Sequence, residues 1–266
     1  MLRAIGRKFE ELKNNGKKAF IPFITAGDPD LETTVRLVLE LERAGSHVVE
    51  LGIPFSDPLA DGPTIQRSSE RALRHGYGLA DYLQAVTSIR RHTSIPLVLF
   101  SYFNPILQYS LERLASDARA AGVDGILVTD MTPEEADDYC SVLERHELDP
   151  IFLVAPTSSA ERVGRIVQCA RGFVYLISRT GVTGERENFS ESVVPTLRRV
   201  RERTGLPVAV GFGISTPEQV RAVWDVAEGA VVGSAIVARI EKLAGSSQLP
   251  AQVGEFCRWL TEARDG

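Results

Sequence analysis

The stretch PVAVGFGISTPEQVRAVWDVAEGAVVG, residues 207–233, contains one complete structural unit of this chain. It begins with the apolar run 207–211, which is typical of a strand buried on both faces. The TPEQ sequence at 216–219 predicts a helix start, because a capping Thr is followed by Pro at the first helical position and by Gln three residues after the cap. A second apolar run, 229–233, follows that helix. The stretch is therefore predicted to form a strand, a helix and a strand.

The same alternation extends over the whole chain. Apolar runs rich in Val, Ile, Leu and Phe occur eight times, at 19–25, 47–53, 96–102, 125–129, 150–155, 173–178, 207–211 and 229–233. Amphipathic stretches separate them, and capping boxes at 132–135 and 158–161 mark two further helix starts. Eight strand–helix units predict an α/β fold of the (β/α)8 TIM-barrel type. An open doubly wound sheet is the alternative, but no GxGxxG follows the first run.

The two ends of the chain predict helices outside the repeat. Residues 1–15 indicate an extra amphipathic helix that covers the bottom of the barrel, and residues 249–261 indicate an extra C-terminal helix. No linker rich in Pro, Gly or Ser divides the chain. We therefore expect a single TIM-barrel domain over residues 1–266.

Composition excludes several classes of protein. With 44% hydrophobic and 24% charged residues, the 266-residue chain is ordinary globular material. Its net charge of −5 argues against a nucleic-acid partner or a membrane surface. No apolar stretch reaches the ~18 residues of a membrane span, and the N-terminus has no signal-peptide character, so we expect a cytoplasmic protein. Cys140, Cys169 and Cys257 form no CxxC pair, which favours neither a disulfide framework nor a zinc site.

The most unusual residue of the second apolar run is Glu50. Burying an unpaired carboxylate is costly or raises its pKa, so Glu50 needs either a structural ion pair or a function. A general acid–base group whose pKa is raised towards neutrality is the functional interpretation. In a TIM barrel such groups lie at the C-terminal ends of the strands.

Two more carboxylates follow in the proline-rich loop 54–63. Its three prolines stiffen a loop that has to present side chains accurately. Asp57 precedes Pro58, where a turn-forming role is as plausible as catalysis. Asp61, eleven residues beyond Glu50, could lie over the same cavity, and two carboxyl groups in different surroundings can divide acid and charge-stabilising roles.

Glycines at the ends of the last two strands suggest an anion site. Gly213 and Gly233-Ser234 lie where the loops after strands 7 and 8 meet helix starts, which is the usual phosphate site of these barrels. The alternative for each glycine alone is an ordinary turn into a helix. Tyr175 of the sixth run is either a core aromatic or part of the cavity. The polar segment 180–185 is compatible with a lid whose Gly184 amide also reaches the phosphate.

Five segments together resemble the tryptophan synthase alpha chain family. They are FIPFITAGDP at 20–29, VELGIPFSDPLADGPTIQ at 49–66, SRTGVTG at 178–184, GFGIS at 211–215 and GSAIV at 233–237. The resemblance covers nearly the whole chain in order. It implies retro-aldol cleavage of indole-3-glycerol phosphate to indole and glyceraldehyde 3-phosphate, without a metal or organic cofactor.

The resemblance also implies roles for individual residues. Glu50 would transfer protons at indole C3 and at the glycerol hydroxyl, and Asp61 would bind the indole N–H. The phosphate would rest on Gly184, Gly213, Gly233 and Ser234. The indole would lie among Phe23, Phe100, Leu127, Thr129, Tyr175, Thr183, Phe212 and Val232. Thr129 stands where the family usually has Ala.

A partner protein is implied as well. Family members act with a pyridoxal-phosphate beta chain, here expected in an α2β2 heterotetramer, and the contact would involve Phe55, Asp57, Pro58, Asn104 and Arg179. A stand-alone lyase that releases free indole and a non-catalytic regulatory subunit remain alternatives. A different sugar-phosphate barrel, such as a phosphoribosyl-anthranilate isomerase, would explain the phosphate loops but not the segment 49–66.

Overall fold

Eight parallel strands close into a barrel in the order of the sequence. The structure, a computed structural model, describes residues 2–178, 186–211 and 213–262, and residues 186–192 as backbone only. The strands are β1 (Ala19–Thr25), β2 (Val49–Gly52), β3 (Leu97–Ser101), β4 (Gly125–Val128), β5 (Asp149–Val154), β6 (Val174–Ile177), β7 (Val208–Gly211) and β8 (Gly229–Val232). Each falls within one of the eight predicted runs or differs from it by one residue, so the predicted (β/α)8 barrel is confirmed.

Helices surround the barrel. They are α1 (Ala4–Asn14), α2 (Leu31–Arg43), α3 (Pro63–Leu73), α4 (Leu79–Arg90), α5 (Phe103–Tyr109), α6 (Leu111–Ala121), α7 (Asp137–Arg145), α8 (Ala160–Cys169), α9 (Arg186–Arg201), α10 (Pro217–Val226), α11 (Ser234–Leu243) and α12 (Leu249–Thr261). The extra helices expected at both ends are α1 and α12. None of the helices within the described ranges is long and apolar enough to cross a membrane.

The strands bury both of their faces, which explains why their sequences are almost continuously apolar. Successive side chains of a strand point to opposite sides of the sheet. Ile24 and Leu51 belong to the outer cluster, between the barrel and the helices. Ile21, Val98 and Leu127 belong to the inner cluster, which fills the barrel.

Helix α1 closes the N-terminal end of the barrel. Its Ile5, Phe9 and Leu12 are buried and belong to the inner cluster. The Phe9 ring lies 5.7 Å from that of Phe173, measured between centroids. The apolar face of this helix therefore forms the floor of the barrel.

Helix starts show what local patterns predict and where they fail. The cap at Thr216 is confirmed, since its side chain accepts the Gln219 backbone N–H. The second box is shifted by one residue, because Ser159 rather than Ser158 caps α8. The predicted helix start at Thr132 is wrong. There the Glu135 backbone N–H donates to the Thr132 carbonyl in a turn, and α7 begins only at Asp137.

The structure contains a disulfide that the sequence did not indicate. Cys140 of α7 and Cys169 of α8 are bonded, with their Cα atoms 6.0 Å apart. The two helices flank β5, so the fold brings together cysteines that are 29 residues apart in the chain. Local spacing cannot reveal such a pair. Cys257 is free and buried.

Candidate active site

A cavity of about 290 Å³ lies at the C-terminal end of the barrel, where strand ends and the following loops meet. Its walls are mostly apolar, with two carboxyl groups and several glycines. The lining residues are Phe23, Glu50, Ala60, Asp61, Gly62, Ile65, Phe100, Thr129, Leu153, Tyr175, Ile177, Gly213, Val231, Gly233 and Ser234. The cavity therefore joins residues from the beginning, middle and end of the chain.

Glu50 lies on β2, where its backbone is paired with Phe23 of β1 and Val98 of β3. Its side chain is fully buried at the cavity wall. Neither carboxyl oxygen has a hydrogen-bond partner in the described part of the chain. Burial raises the pKa of Glu50 from 4.5 to about 8. At pH 7 the carboxyl group therefore carries a proton and can serve as a general acid.

Asp61 lies on the loop between β2 and α3. Its backbone N–H donates to the Pro58 carbonyl at 3.0 Å, and the Gln66 side-chain amide donates to the Asp61 carbonyl at 2.9 Å. Burial raises the pKa of Asp61 from 3.8 to about 6, and a hydrogen bond from the Tyr102 hydroxyl opposes that rise. At pH 7 Asp61 is therefore mostly ionised. The cavity thus holds one protonated and one charged carboxyl group.

Two phenylalanines form the aromatic part of the wall. The rings of Phe23 and Phe100 meet edge to face with centroids 5.1 Å apart. The Phe23 ring fits only because residue 52 is glycine, since a side chain at position 52 would overlap the ring. An apolar wall built from two aromatic rings suits an aromatic ligand.

Tyr175 of β6 faces the same cavity as Glu50. Burial first, and the charge of Glu50 second, raise the pKa of Tyr175 well above its usual value. Gly211 lies beside the tyrosine hydroxyl, where any side chain would collide with it. Tyr175 packs against the inner cluster and also lines the cavity, so both interpretations of this residue apply.

Gly213, Gly233 and Ser234 also line the cavity. Helix α11 begins at Ser234, and its first intrahelical bonds run from the Ile236 and Val237 N–H groups to the Gly233 carbonyl. The amides before Ile236 are left without a partner in the helix, as at every helix start. The positive end of the helix dipole is therefore directed at the cavity, which favours an anion there.

Two of the expected wall residues lie elsewhere. Val232 points outward and belongs to the outer cluster, so its assignment to the wall is corrected to Val231. The cause is the two-residue alternation of β8, which moves a side chain to the other face with each step. Leu127 is buried in the inner cluster but is not among the residues lining the cavity.

Sequence reasoning missed other wall residues, namely Ala60, Gly62, Ile65, Leu153 and Ile177. Leu153 and Ile177 could have been found by alternation from Ile151 and Tyr175. The expected site residues Arg179, Thr183, Gly184 and Phe212 lie outside the described residues.

The residues expected at a partner interface lie on the outer rim. Asp57 and Asn104 are exposed, and Phe55 and Pro58 are partly exposed. Leu59 beside them is 94% exposed. The loop after β2 therefore presents an apolar tip to the surroundings while Asp61, further along it, lines the cavity.

A larger cavity of about 920 Å³ lies at the opposite end, beside α1. Its charged groups are largely used in ion pairs, such as Arg3 with Asp149 at 3.3 Å and Arg201 with Glu228 at 2.7 Å. In TIM barrels the N-terminal face serves stability and the C-terminal face chemistry. We therefore assign the active site to the smaller cavity.

Comparison with known proteins agrees with this geometry. The alpha chain from Solibacter usitatus is 51% identical over 256 residues, covering 96% of each chain, and that from Geobacter sulfurreducens is 50% identical, covering 97% of this chain and 98% of the relative. Both are named tryptophan synthase alpha chain.

Solved structures agree as well. Tryptophan synthase subunit alpha from Legionella pneumophila has a TM-score of 0.89 and 39% identity, with 98% of this chain and 99% of that chain covered. A chain of the a2b2 complex from Pyrococcus furiosus has a TM-score of 0.84 and 37% identity, with 98% and 99% covered. The family model described as "Tryptophan synthase alpha chain" matches residues 9–264. This chain therefore belongs to the tryptophan synthase alpha chain family.

Proposed function

We propose that this chain is the alpha subunit of a tryptophan synthase and cleaves indole-3-glycerol phosphate to indole and glyceraldehyde 3-phosphate. The observation that carries the proposal is the pair of carboxyl groups in one apolar cavity, with the pKa of Glu50 raised to about 8 and that of Asp61 to about 6. A retro-aldol cleavage of an indole needs both an acid and an anion, and this pair supplies them at pH 7.

Glu50 moves the protons. Its protonated carboxyl group donates a proton to C3 of the indole, which places a positive charge on the ring. The resulting carboxylate then removes the hydroxyl proton of the adjacent glycerol carbon. The new carbonyl forms, the bond from that carbon to C3 breaks, and its electron pair restores the aromatic ring. Glu50 ends protonated, as it began.

Asp61 stabilises the ring while it is charged. Its carboxylate accepts the indole N–H, and the attraction grows as positive charge develops on that nitrogen. Because the interaction is stronger in the transition state than in the substrate, it contributes to rate rather than to binding alone. Phe23 and Phe100 hold the ring between the two carboxyl groups.

The phosphate is held by backbone amides of Gly213, Gly233 and Ser234, with Gly184 as a fourth donor from the segment before α9. The start of α11 adds its dipole. Anchoring the phosphate at this end leaves the indole to lie against the aromatic wall. Neither a metal nor an organic cofactor takes part on this chain.

The partner is a pyridoxal-phosphate beta chain, and the assembly is an α2β2 heterotetramer in the cytoplasm. The exposed tip around Leu59 and the rim residues Phe55, Asp57, Pro58 and Asn104 support a docking surface beside the cavity. The Pyrococcus furiosus relative is solved as an a2b2 complex. Arg179 is expected at the same contact.

The test is indole release from indole-3-glycerol phosphate by the purified chain, with and without a beta chain. Glu50→Gln keeps the shape of the side chain and is expected to lower turnover by about 10²–10⁴-fold while glycerol phosphate still binds. Asp61→Asn is also expected to be severely impaired. A wild-type chain that binds glycerol phosphate but releases no indole, alone or with its partner, would be a regulatory subunit. Full turnover without any partner would identify a stand-alone lyase.

A further inference from the structure

Tyr102 contacts the loop between β2 and α3, which carries Asp61, but does not line the cavity. It follows β3 directly, and only 5% of its surface is exposed. Its hydroxyl accepts the backbone N–H of Ala60, the residue before Asp61, at 2.9 Å. The same hydroxyl lowers the pKa of the neighbouring Asp61 carboxyl group. It is not among the residues that line the cavity. Tyr102 therefore contacts the loop of Asp61 from outside the set of residues that line the cavity.

The ring of Tyr102 holds the same loop at another point. Phe55 packs against it with ring centroids 5.2 Å apart. One buried side chain at the end of a barrel strand thus contacts the loop at Phe55 and at Ala60, next to Asp61. Such contacts fix the position of a carboxylate that would otherwise lie on a loop with an exposed tip.

The partners of the Tyr102 hydroxyl determine where it donates its proton. A tyrosine hydroxyl has one proton to donate and accepts through its lone pairs. Because the Ala60 N–H is a donor, the hydroxyl accepts from it. Thr129 lowers the pKa of Tyr102, as a group that donates to this oxygen does, so the hydroxyl proton is left for Asp61. Burial, and then the charge of Asp61, raise the pKa of Tyr102 to about 12, so the proton stays on the oxygen at neutral pH.

We propose that Tyr102 is the positioning residue of Asp61: its buried hydroxyl, oriented by the Ala60 amide, donates to the Asp61 carboxylate and holds it facing the cavity. This role rests on the proposed function, in which Asp61 stabilises the charged indole. Tyr102 itself touches neither substrate nor reacting atoms.

The titratable groups that share the cavity with Asp61, among the described residues, are Glu50 and Tyr175. The pKa of Asp61 is set by burial, which raises it, and by Tyr102, which lowers it. Removing the Tyr102 hydroxyl is therefore expected to raise the pKa of Asp61, because burial then acts alone. Removing the loop contact instead would expose Asp61 and let its pKa fall towards 3.8.

The experiment compares the pH dependence of kcat/KM for indole formation in the wild type, Tyr102→Phe and Tyr109→Phe. Phe keeps the ring and its packing on Phe55. We expect Tyr102→Phe to move the acid limb upward by about one pH unit, the size of one hydrogen bond to a charged group. The substrate phosphate titrates near pH 6 as well, but it contributes equally to all three enzymes.

Tyr109→Phe is the matched control. It also removes a hydrogen bond from a tyrosine hydroxyl to an aspartate, Asp117, at 2.7 Å, but on the outside of the barrel between α5 and α6. Its profile is expected to superimpose on that of the wild type. An acid limb of Tyr102→Phe that stays in place, or that moves downward, overturns the proposal.

A second measurement does not depend on activity. The Asp61 carboxyl carbon can be titrated by ¹³C NMR in aspartate-labelled protein, with its signal assigned by its loss in Asp61→Asn. We expect the pKa of Asp61 to rise in Tyr102→Phe and to stay unchanged in Tyr109→Phe. If the wild type releases no indole, the proposed function fails, and the NMR titration still decides whether Tyr102 holds the charge of Asp61.

Discussion

The ring of Phe23 fills the space in which a side chain at Gly52 would lie. The two residues belong to neighbouring strands, β1 and β2, and Phe23 is paired across them with Glu50. The glycine therefore makes room for an aromatic wall directly beside the buried acid. A packing requirement on one strand thus determines the surface that the next strand presents to the cavity.

Gly52→Ala tests this relationship. The added methyl group overlaps the Phe23 ring and pushes it towards the cavity, so we expect a loss of about 1–3 kcal/mol in the free energy of unfolding and a raised KM. Urea unfolding and steady-state kinetics measure the two effects. Gly164→Ala in α8, where the new methyl meets no atom within 4 Å, is the control and should be neutral or slightly stabilising. Equal behaviour of both variants would contradict the packing argument.

The activity should have a bell-shaped pH dependence. Asp61, with a pKa of about 6, must be ionised, and Glu50, with a pKa of about 8, must be protonated. We expect kcat/KM to rise through pH 6, to peak near pH 7 and to fall through pH 8, since kcat/KM reports the pKa values of the free enzyme. A profile that stays flat up to pH 9 would remove Glu50 as the acid.

Stability should depend on pH through Glu50. Its pKa is raised on folding, so the folded protein binds a proton that the unfolded chain has lost between about pH 4.5 and pH 8. The wild type is therefore expected to lose stability over this window relative to Glu50→Gln, which does not titrate. Urea unfolding of both proteins at pH 5 and pH 8 measures the difference. A constant difference would show that burial does not perturb Glu50.

A negative side chain at the phosphate site should weaken binding. Gly213 has a positive φ of 72°, and Gly213→Glu adds both backbone strain and like charge near the amides. Loss of one or two charge-assisted hydrogen bonds predicts glycerol phosphate binding weaker by about 10–100-fold in calorimetry. Gly245→Glu is the control, because Gly245 also has a positive φ, 84°, but lies after α11 in open space. Unchanged binding in Gly213→Glu would place the phosphate elsewhere.

The beta chain should activate this subunit. The loop after β2 carries both the exposed tip and Asp61, so docking at the tip can favour the position of Asp61 that catalysis needs. We expect indole formation to rise more than tenfold when a matched beta chain is added, and Asp57→Ala to reduce that gain. Glu255→Ala, which removes an exposed carboxylate from α12, is the control. An equal gain in both variants would exclude Asp57 from the contact.

Features that depend on burial were predictable from the sequence. The eight strands are almost continuously apolar because they lie between the inner cluster and the helices. Glu50 stood out for the same reason, as the carboxylate within an apolar run. The cap at Thr216 was predictable because its partners lie within four residues.

Features that depend on contacts between distant segments were not predictable. The Cys140–Cys169 bond and the contact of Tyr102 with Ala60 join elements separated by 29 and 42 residues, and no local pattern marks either. Val231 was confused with Val232 because both are apolar and only the register of β8 separates them. The cap at Thr132 failed because a turn uses the same residues.

The floor formed by α1 closes the N-terminal end of the barrel. Ile5, Phe9 and Leu12 close one end, and the inner cluster fills the barrel above them, so the reaction chamber communicates with the outside through its upper mouth. In the part of the chain that the structure describes, substrate and both products therefore share this opening. The loops at the mouth can therefore control the order in which substrate and products pass. A protein that covers the mouth would receive the apolar product directly.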